Sequence, residues 1–263
     1  DERKVLYEVL LIFAIVNIYQ DILLAKQDGK QLLAVLIDPE KTSIEQLPTL
    51  VKLIHQSIAT HIFVGGSTDQ HNTIEPVIVA LKKATMLPII IFPGSANQVT
   101  NKADGILFLS LISGRNPEYL IEQQVQSAIQ IKESSLEVLP TGYILVDGGK
   151  ESAVERVSSS KPICQTNSEL ILRTALAGEF SGKKIIYLEA GSGAKNPVKS
   201  SIISLVKENL TIPLIIGGGI QTVHQLTTAY AAGADLVVIG TAFEKDPTFF
   251  NIIKKESVHE NIS

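Results

Sequence analysis

The chain has 263 residues, with 45% hydrophobic and 5% aromatic residues, a net charge of -4 and a pI near 5.8. This length suits one closed α/β barrel, although two small domains would also fit. The acidic balance argues against a protein that binds nucleic acid by neutralising many phosphates. Cys164 is the only cysteine, which excludes an intramolecular disulfide and a cysteine-based zinc cluster.

The N-terminal part contains the most apolar run of the chain, "VLLIFAIV" at residues 9–16. Glu8 flanks this run directly, no cleavage pattern follows it, and it is too short to span a bilayer. We therefore expect a cytoplasmic protein with an N-terminal extension or helix over residues 1–30, followed by a single barrel domain over residues 31–263.

Eight short apolar runs alternate with longer helical patterns from residue 31 onward, which is typical of repeated βα units and a parallel sheet. The runs are "LLAVLI" (32–37), "HIFV" (61–64), "PIIIF" (88–92), "GILFL" (105–109), "TGYILV" (141–146), "KIIYLE" (184–189), "PLIIG" (213–217) and "DLVVIG" (235–240). Helices are predicted over 44–56, 73–84, 117–133, 168–178, 197–209 and 223–232.

The interval between the third and fourth runs, "PGSANQVTNKAD", is too short and too rich in Pro, Gly and Asn for a full helix. Gly, Ser or a carboxylate follows every one of the eight runs. An open sheet would concentrate such residues at one switch point, whereas a barrel gathers all its βα loops at one mouth. The sequence therefore predicts a modified (β/α)8 TIM barrel whose third helix is missing or replaced by extended chain.

Glycine-rich loops follow the last three strands: "EAGSG" (189–193), "GGGI" (217–220) and "GT" (240–241). Glycine lets backbone amides approach a phosphate, and loops at the end of a barrel commonly bind one. Taken singly, each loop could simply be a tight turn. Three of them in this order favour a phosphate site built largely from amides, with Lys195 as the only basic residue in these loops.

Asp38 ends the first strand, and Pro39 favours an extended backbone at Asp38. Ser67 follows the second strand, so a carboxylate and a hydroxyl would lie at adjacent strand ends. Mg²⁺ accepts such a sparse oxygen set when phosphates and waters complete its octahedron. The two residues could instead cap a turn and a helix, and spacing does not decide between these interpretations.

Glu189 ends the sixth strand, where a carboxylate could accept a hydrogen bond from an alcohol and act as a base. Tyr187 should face the same side of that strand, although it could equally be an aromatic residue that fills the barrel. The five histidines are scattered and show no metal-binding spacing, so we interpret them as surface or packing residues.

Six motifs in order, "LIDPEKT", "GGST", "IFPG", "YLEAGSG", "GGGI" and "VIGTAFE", resemble the geranylgeranylglyceryl phosphate synthases over about residues 18 to 250. The resemblance implies a barrel without its third helix and transfer of a prenyl group from geranylgeranyl diphosphate to sn-glycerol 1-phosphate, with Mg²⁺ required. It implies Asp38 and Ser67 as metal ligands and Glu189 and Tyr187 as catalytic residues. The implied glycerol phosphate site comprises Tyr187, Leu188, Glu189, Ala190, Gly191, Ser192, Gly193, Gly218, Gly219, Gly240 and Thr241.

A related bacterial subgroup, the heptaprenylglyceryl phosphate synthases, has lysine two residues before the metal aspartate and a shorter "YLEYSG" loop. Leu36 and "YLEAGSG" stand here instead, which favours the C20 prenyl donor. The resemblance and the apolar N-terminus imply a homo-oligomer. Because donor and product are lipids, we also expect transient membrane contact, and no nucleic-acid partner.

Two other functions remain open at this level. A sugar-phosphate isomerase or lyase could use the same phosphate site, and it would need a second catalytic group, for which Asp147 is the best candidate. A binding module without catalysis would not need Glu189. Phe108, Leu111 and Tyr119 could line a prenyl groove, but they could equally belong to the core.

Overall fold

The computed structural model describes residues 17–66 and 73–240, and within these ranges eight parallel strands close into one barrel in sequence order. This confirms the predicted fold class. All eight predicted runs form strands, and the first two have the predicted bounds. The strands are β1 (Leu32–Ile37), β2 (His61–Val64), β3 (Ile89–Ile91), β4 (Gly105–Leu111), β5 (Glu137–Leu145), β6 (Ile185–Glu189), β7 (Leu214–Gly217) and β8 (Leu236–Ile239).

The strands are buried on both faces because alternate side chains enter two separate apolar layers. In β1, Leu33 and Val35 pack in the layer between the sheet and the helices. Leu32 and Ala34 instead point into the barrel, where Tyr187 and Phe63 are among the largest fully buried side chains. The branched and small residues that dominate the composition thus fill both layers.

The helices cover the outside of the barrel and largely follow the predicted ranges. The third predicted helix begins with a π-helical turn at Glu118–Glu122, and a short helix in the loop after β5 was not predicted. The α-helices of the described residues are α1 (Ile18–Gln27), α2 (Leu47–Gln56), α3 (Ile74–Ala84), α4 (Gln123–Lys132), α5 (Ala153–Ser158), α6 (Ser168–Phe180), α7 (Ser200–Asn209) and α8 (Val223–Ala231).

The connection between β3 and β4 contains one short 3₁₀ turn, Ala96–Gln98, and no α-helix. This confirms that the helix expected after the third strand of a regular barrel is replaced by extended chain. Residues of this connection and of α4 line the same cavity.

Helix α1 closes the barrel at the end away from the strand carboxyl ends. Ile18 and Ile22 are buried with the inward-facing strand residues, and the Glu137 carboxylate accepts hydrogen bonds from the Ile18 and Tyr19 amides at 2.5 and 2.9 Å. Helix α1 therefore belongs to the barrel core. The rest of the predicted N-terminal extension, residues 1–16, lies outside the described residues. Among the helices that the structure describes, none is long and apolar enough to cross a membrane.

Candidate active site

The carboxyl ends of the strands surround a cavity of about 450 Å³, which is lined by both Asp38 and Glu189. The two carboxylates come from strands β1 and β6, so barrel closure places them at one mouth. A single ligand pair in this cavity could therefore contact both groups. Had they opened onto opposite ends of the barrel, no shared reaction would be conceivable.

Glu189 is the last residue of β6 and is only 6% exposed. Its Oε1 accepts a hydrogen bond from the Gly191 amide at 2.7 Å. Burial disfavours the charged form and raises the pKa of Glu189 to about 7, although the Gly191 amide and Tyr187 act in the opposite direction. A carboxylate with this pKa can exchange a proton near neutral pH, as a general base must.

Tyr187 lies two residues earlier on β6, and its side chain is fully buried in the barrel interior. Its hydroxyl makes no well-formed hydrogen bond to any described residue, although Glu189 is close enough to influence its pKa. Burial is the main reason that the pKa of Tyr187 lies well above its usual value. A buried hydroxyl with only this poorly aligned neighbour is costly, so a polar ligand group is expected beside it.

The turns beside Glu189 require glycine for two physical reasons. Gly218 and Gly219 have φ angles of 81° and 73°, which favour glycine. A Cβ at Gly218 would also overlap the Glu189 carboxylate, and one at Gly219 would lie 2.8 Å from the Pro197 nitrogen. Gly193, Gly218, Gly219 and Gly240 line the cavity together with Ser192. Backbone therefore approaches the cavity closely, as a phosphate site needs.

Asp38 lies across the mouth, where its side chain is 19% exposed. Its carboxylate pairs with the Lys41 ammonium at 2.7 Å and accepts the Glu40 amide at 3.1 Å. Gly66 lies against the same carboxylate, since a Cβ there would be 3.2 Å from Asp38 Oδ1. Asp38 thus has a cation partner of its own, which the sequence did not predict.

The oxygen atoms at this end suit Mg²⁺ only in the company of a substrate. Within residues 17–66 and 73–240 there is no cluster of three metal-ligating side chains. Asp38 and Glu40 line the cavity, and one or two carboxylates together with substrate phosphates are the usual way in which proteins hold Mg²⁺. The residues therefore fit a metal that binds together with a diphosphate.

The remainder of the cavity is mostly apolar and extends to the connection that replaces the third barrel helix. Phe108, Leu111 and Tyr119, whose role the sequence left open, all line it. Residues that the sequence did not indicate also contribute, chiefly Phe92 and Tyr143, whose rings lie 5.4 and 5.2 Å from that of Tyr187. Ala153, Val154, Arg156 and Val157 of α5 complete this wall.

Several candidate residues do not contact the cavity with their side chains. Leu188 and Ala190 face the outer apolar layer, so only their backbone could approach a ligand. Lys195 is exposed and is not part of the lining, whereas Lys41 and Arg156 are. Ser67 and Thr241 lie outside the described residues.

Asp147, the candidate second acid of an isomerase or lyase, accepts the Gly149 amide at 2.8 Å and does not line the cavity. His61, by contrast, is buried and contacts Thr60 Oγ1 at 2.8 Å, and burial lowers its pKa to about 4. His55 contacts Thr85 Oγ1 at 2.7 Å. These contacts are those of packing residues, and neither histidine lines the cavity, whereas Glu189 does.

Glycine turns after the late strands of a TIM barrel define the class of barrels in which these loops commonly bind phosphate. The model of the PcrB family matches residues 27–257 of this chain. The chain belongs to the PcrB family.

Relatives from bacteria and archaea support this membership. The geranylgeranylglyceryl phosphate synthase of Flavobacterium johnsoniae is 56% identical over 235 residues, which cover 89% of this chain and 97% of the relative. The enzyme of the same name from Pyrococcus furiosus is 38% identical over 240 residues, covering 90% and 95%.

A crystal structure of (S)-3-O-geranylgeranylglyceryl phosphate synthase from Thermoplasma acidophilum, in complex with its substrate sn-glycerol-1-phosphate, superimposes with a TM-score of 0.86. It is 33% identical, covering 92% of this chain and 98% of that chain. An N-acetylmannosamine-6-phosphate 2-epimerase from Clostridium perfringens, 16% identical with a TM-score of 0.53 and covering 88% and 91%, shares the fold alone.

Proposed function

We propose that this chain is a geranylgeranylglyceryl phosphate synthase, which transfers the prenyl group of geranylgeranyl diphosphate to sn-glycerol 1-phosphate and releases pyrophosphate. The observation that carries the proposal is one cavity that is lined by buried Glu189, by buried Tyr187 and by Asp38, with an apolar arm alongside. The names of these relatives indicate the two substrates. The cavity offers a candidate region for each substrate.

We assign the glycerol phosphate to the end formed by β6, β7 and β8. Its phosphate would bind at the glycine turns, where the backbone approaches the cavity. A glycerol hydroxyl would then lie beside Glu189 and hydrogen-bond to the Tyr187 hydroxyl, which makes no well-formed hydrogen bond to the described residues. Thr241 completes this set in the prediction from sequence.

We assign the diphosphate to the end that contains Asp38. Asp38, with Ser67 as predicted from the sequence, would hold Mg²⁺ through its oxygen atoms. The metal would supply charge stabilisation to the departing pyrophosphate. The Lys41 side chain, which pairs with Asp38 and lines the cavity, adds positive charge for the same anion. The prenyl chain would extend along Phe108, Leu111 and Tyr119, between α4 and the connection that replaces the third barrel helix.

The reaction forms one bond and breaks one bond at the first carbon of the prenyl chain. The glycerol oxygen forms a carbon–oxygen ether bond, while the bond from that carbon to the diphosphate breaks and its electron pair leaves with pyrophosphate. The hydroxyl proton moves to Glu189, whose pKa of about 7 suits this transfer. The buried position of Glu189 also excludes water from the acceptor.

Purified protein with labelled sn-glycerol 1-phosphate and C15, C20 or C35 prenyl diphosphate, with and without Mg²⁺, tests the proposal. We expect a lipid-soluble labelled phosphate, with the C20 donor preferred and Mg²⁺ required. Absence of product with every donor in the presence of Mg²⁺ would exclude the function. Preference for the C35 donor would retain prenyl transfer but reassign the donor.

An isomerase or lyase would instead convert a phosphosugar without any prenyl diphosphate. It has less support, because Asp147 caps a turn outside the cavity. A phosphate-binding module would form no product in this assay. Its biological activity would also survive the loss of the Glu189 carboxylate.

A further inference from the structure

Gln98 links the loops that follow β2 and β3. Its side chain is 1% exposed, its Nε2 donates to the Gly66 carbonyl at 3.1 Å, and its Oε1 accepts the Gly94 amide at 2.7 Å. If the side-chain amide were flipped, its oxygen would face the Gly66 carbonyl oxygen and its NH₂ group would face the Gly94 N–H. These two partners therefore define the orientation of the amide. One buried side chain therefore fixes two separate loops to each other.

One of the two linked loops, the loop after β2, lies against Asp38. Gly66 lies against the Asp38 carboxylate, since a Cβ on Gly66 would be only 3.2 Å from Asp38 Oδ1. The neighbouring Gly65 leaves no space either, because a Cβ there would overlap the Phe92 carbonyl. A displacement of the Gly66 loop would consequently move the surface against which Asp38 is placed.

A glutamine is needed here because the connection has lost its helix. In a regular barrel, packing of a helix would hold the loop after β3, but this connection contains only the 3₁₀ turn Ala96–Gln98. Side chains take over that role: Gln123 Oε1 accepts the Ala96 amide at 2.6 Å, and Gln130 Nε2 donates to the Val99 carbonyl at 2.9 Å. Among these glutamines, Gln98 is the one that contacts the loop beside Asp38.

We propose that Gln98 is a positioning residue for the diphosphate end of the site, and that it acts by holding the Gly66 loop against Asp38. The inference rests on the proposed function, since it concerns the diphosphate donor. Gln98 itself need not contact the substrate. Its loss should weaken the binding of the donor while the glycerol phosphate end, built on β6 to β8, stays intact.

The decisive variant is Gln98→Met, which has a similar length but cannot make either hydrogen bond. Gln130→Met is the matched control, because it removes a glutamine hydrogen bond to the same connection away from Asp38. We expect Q98M to raise the KM for the prenyl diphosphate about tenfold, the effect of losing a buried hydrogen bond. The KM for sn-glycerol 1-phosphate should stay within about twofold, and Q130M should resemble wild type.

Calorimetric titration with pyrophosphate and Mg²⁺ provides a readout that does not depend on turnover. Q98M should bind this probe about tenfold more weakly than wild type and Q130M, as expected when buried hydrogen bonds are lost. Equal binding by all three proteins, or an equal rise of both KM values in Q98M, would overturn the inference. A wild-type protein that binds the probe but forms no product would refute the proposed function and leave the role of Gln98 in anion binding measurable.

Gln98→Glu separates positioning from simple packing. A glutamate keeps the acceptor for the Gly94 amide but sets a carboxylate against the Gly66 carbonyl. We expect the same selective rise of the donor KM as in Q98M. Wild-type KM values in a folded Q98E protein, measured at a pH high enough to ionise the buried glutamate, would show that the bond to Gly66 has no role in positioning, and would also overturn the inference.

Discussion

The two ends of the cavity differ in the burial of their carboxylates and in the groups that surround them. At the Glu189 end, the carboxylate is 6% exposed and the walls are glycine backbone. At the Asp38 end, the carboxylate side chain is 19% exposed and pairs with Lys41, which is itself largely exposed. Burial makes the first carboxylate a proton acceptor near neutral pH, whereas the second stays in contact with solvent and cations.

This difference matches the chemistry of the proposed reactants. A neutral hydroxyl must lose a proton, and a desolvated carboxylate with a raised pKa serves that purpose. Pyrophosphate must leave with a large negative charge, and it needs cations and a path to water.

The largest expected effect is that of Glu189→Gln on catalysis. Glutamine keeps the oxygen that accepts the Gly191 amide but cannot take a proton. We expect kcat to fall about 10³-fold, within the range for a general base, while the KM for sn-glycerol 1-phosphate changes little. Steady-state kinetics provides the measurement, and a variant with wild-type kcat would remove Glu189 from the proton transfer.

Stability should depend on pH through the same residue. The folded-state pKa of about 7 lies above the unfolded value near 4.5, so this group favours folding at low pH, and that contribution is lost as pH rises through 7. Relative to E189Q, ligand-free wild type should lose about 3 kcal/mol of unfolding free energy between pH 4.5 and pH 8. Urea unfolding at several pH values measures it, and a constant difference would show that Glu189 has an ordinary pKa.

At the other end of the cavity, Asp38→Asn should lower kcat/KM for the prenyl diphosphate by about 100-fold, because the substitution removes a charged oxygen ligand. The KM for sn-glycerol 1-phosphate should stay the same. Asp28→Asn is the matched control, since Asp28 forms a surface pair with Lys30 at 2.8 Å. If both variants resembled wild type, the assignment of the diphosphate to this end would be wrong.

The smallest effect tests the glycine turns. Gly218→Ala should raise the KM for sn-glycerol 1-phosphate about tenfold, because the added methyl group would overlap the Glu189 carboxylate and move the turn. Gly182→Ala has nearly the same φ, 83°, but no atom within 4 Å of the added Cβ. The comparison separates steric displacement at the site from backbone strain alone, and equal KM values for the two variants would contradict the prediction.

Local sequence patterns predicted the strands well because the burial of a strand is visible in its own residues. A run such as "LLAVLI" is apolar at every position only if both faces of a parallel strand are covered, and β1 has the predicted bounds, residues 32–37. Pro, Gly and Asn in a short interval likewise predicted the missing third helix. Asp38 and Glu189 could be singled out because each ends an apolar run.

Tertiary structure decided the properties that depend on residues far apart in the chain. The pKa of Glu189 is raised because barrel closure removes water from it, and no local pattern shows that burial. Phe92 and Tyr143 reach the cavity from β3 and β5, although their positions resemble ordinary core positions in the sequence. Gln98 contacts Gly66 across 32 positions of chain. Sequence by itself thus determined the strands and the identity of the two acids, while only the closed barrel decided their environments, because desolvation and hydrogen bonding between loops exist only once the strands have come together.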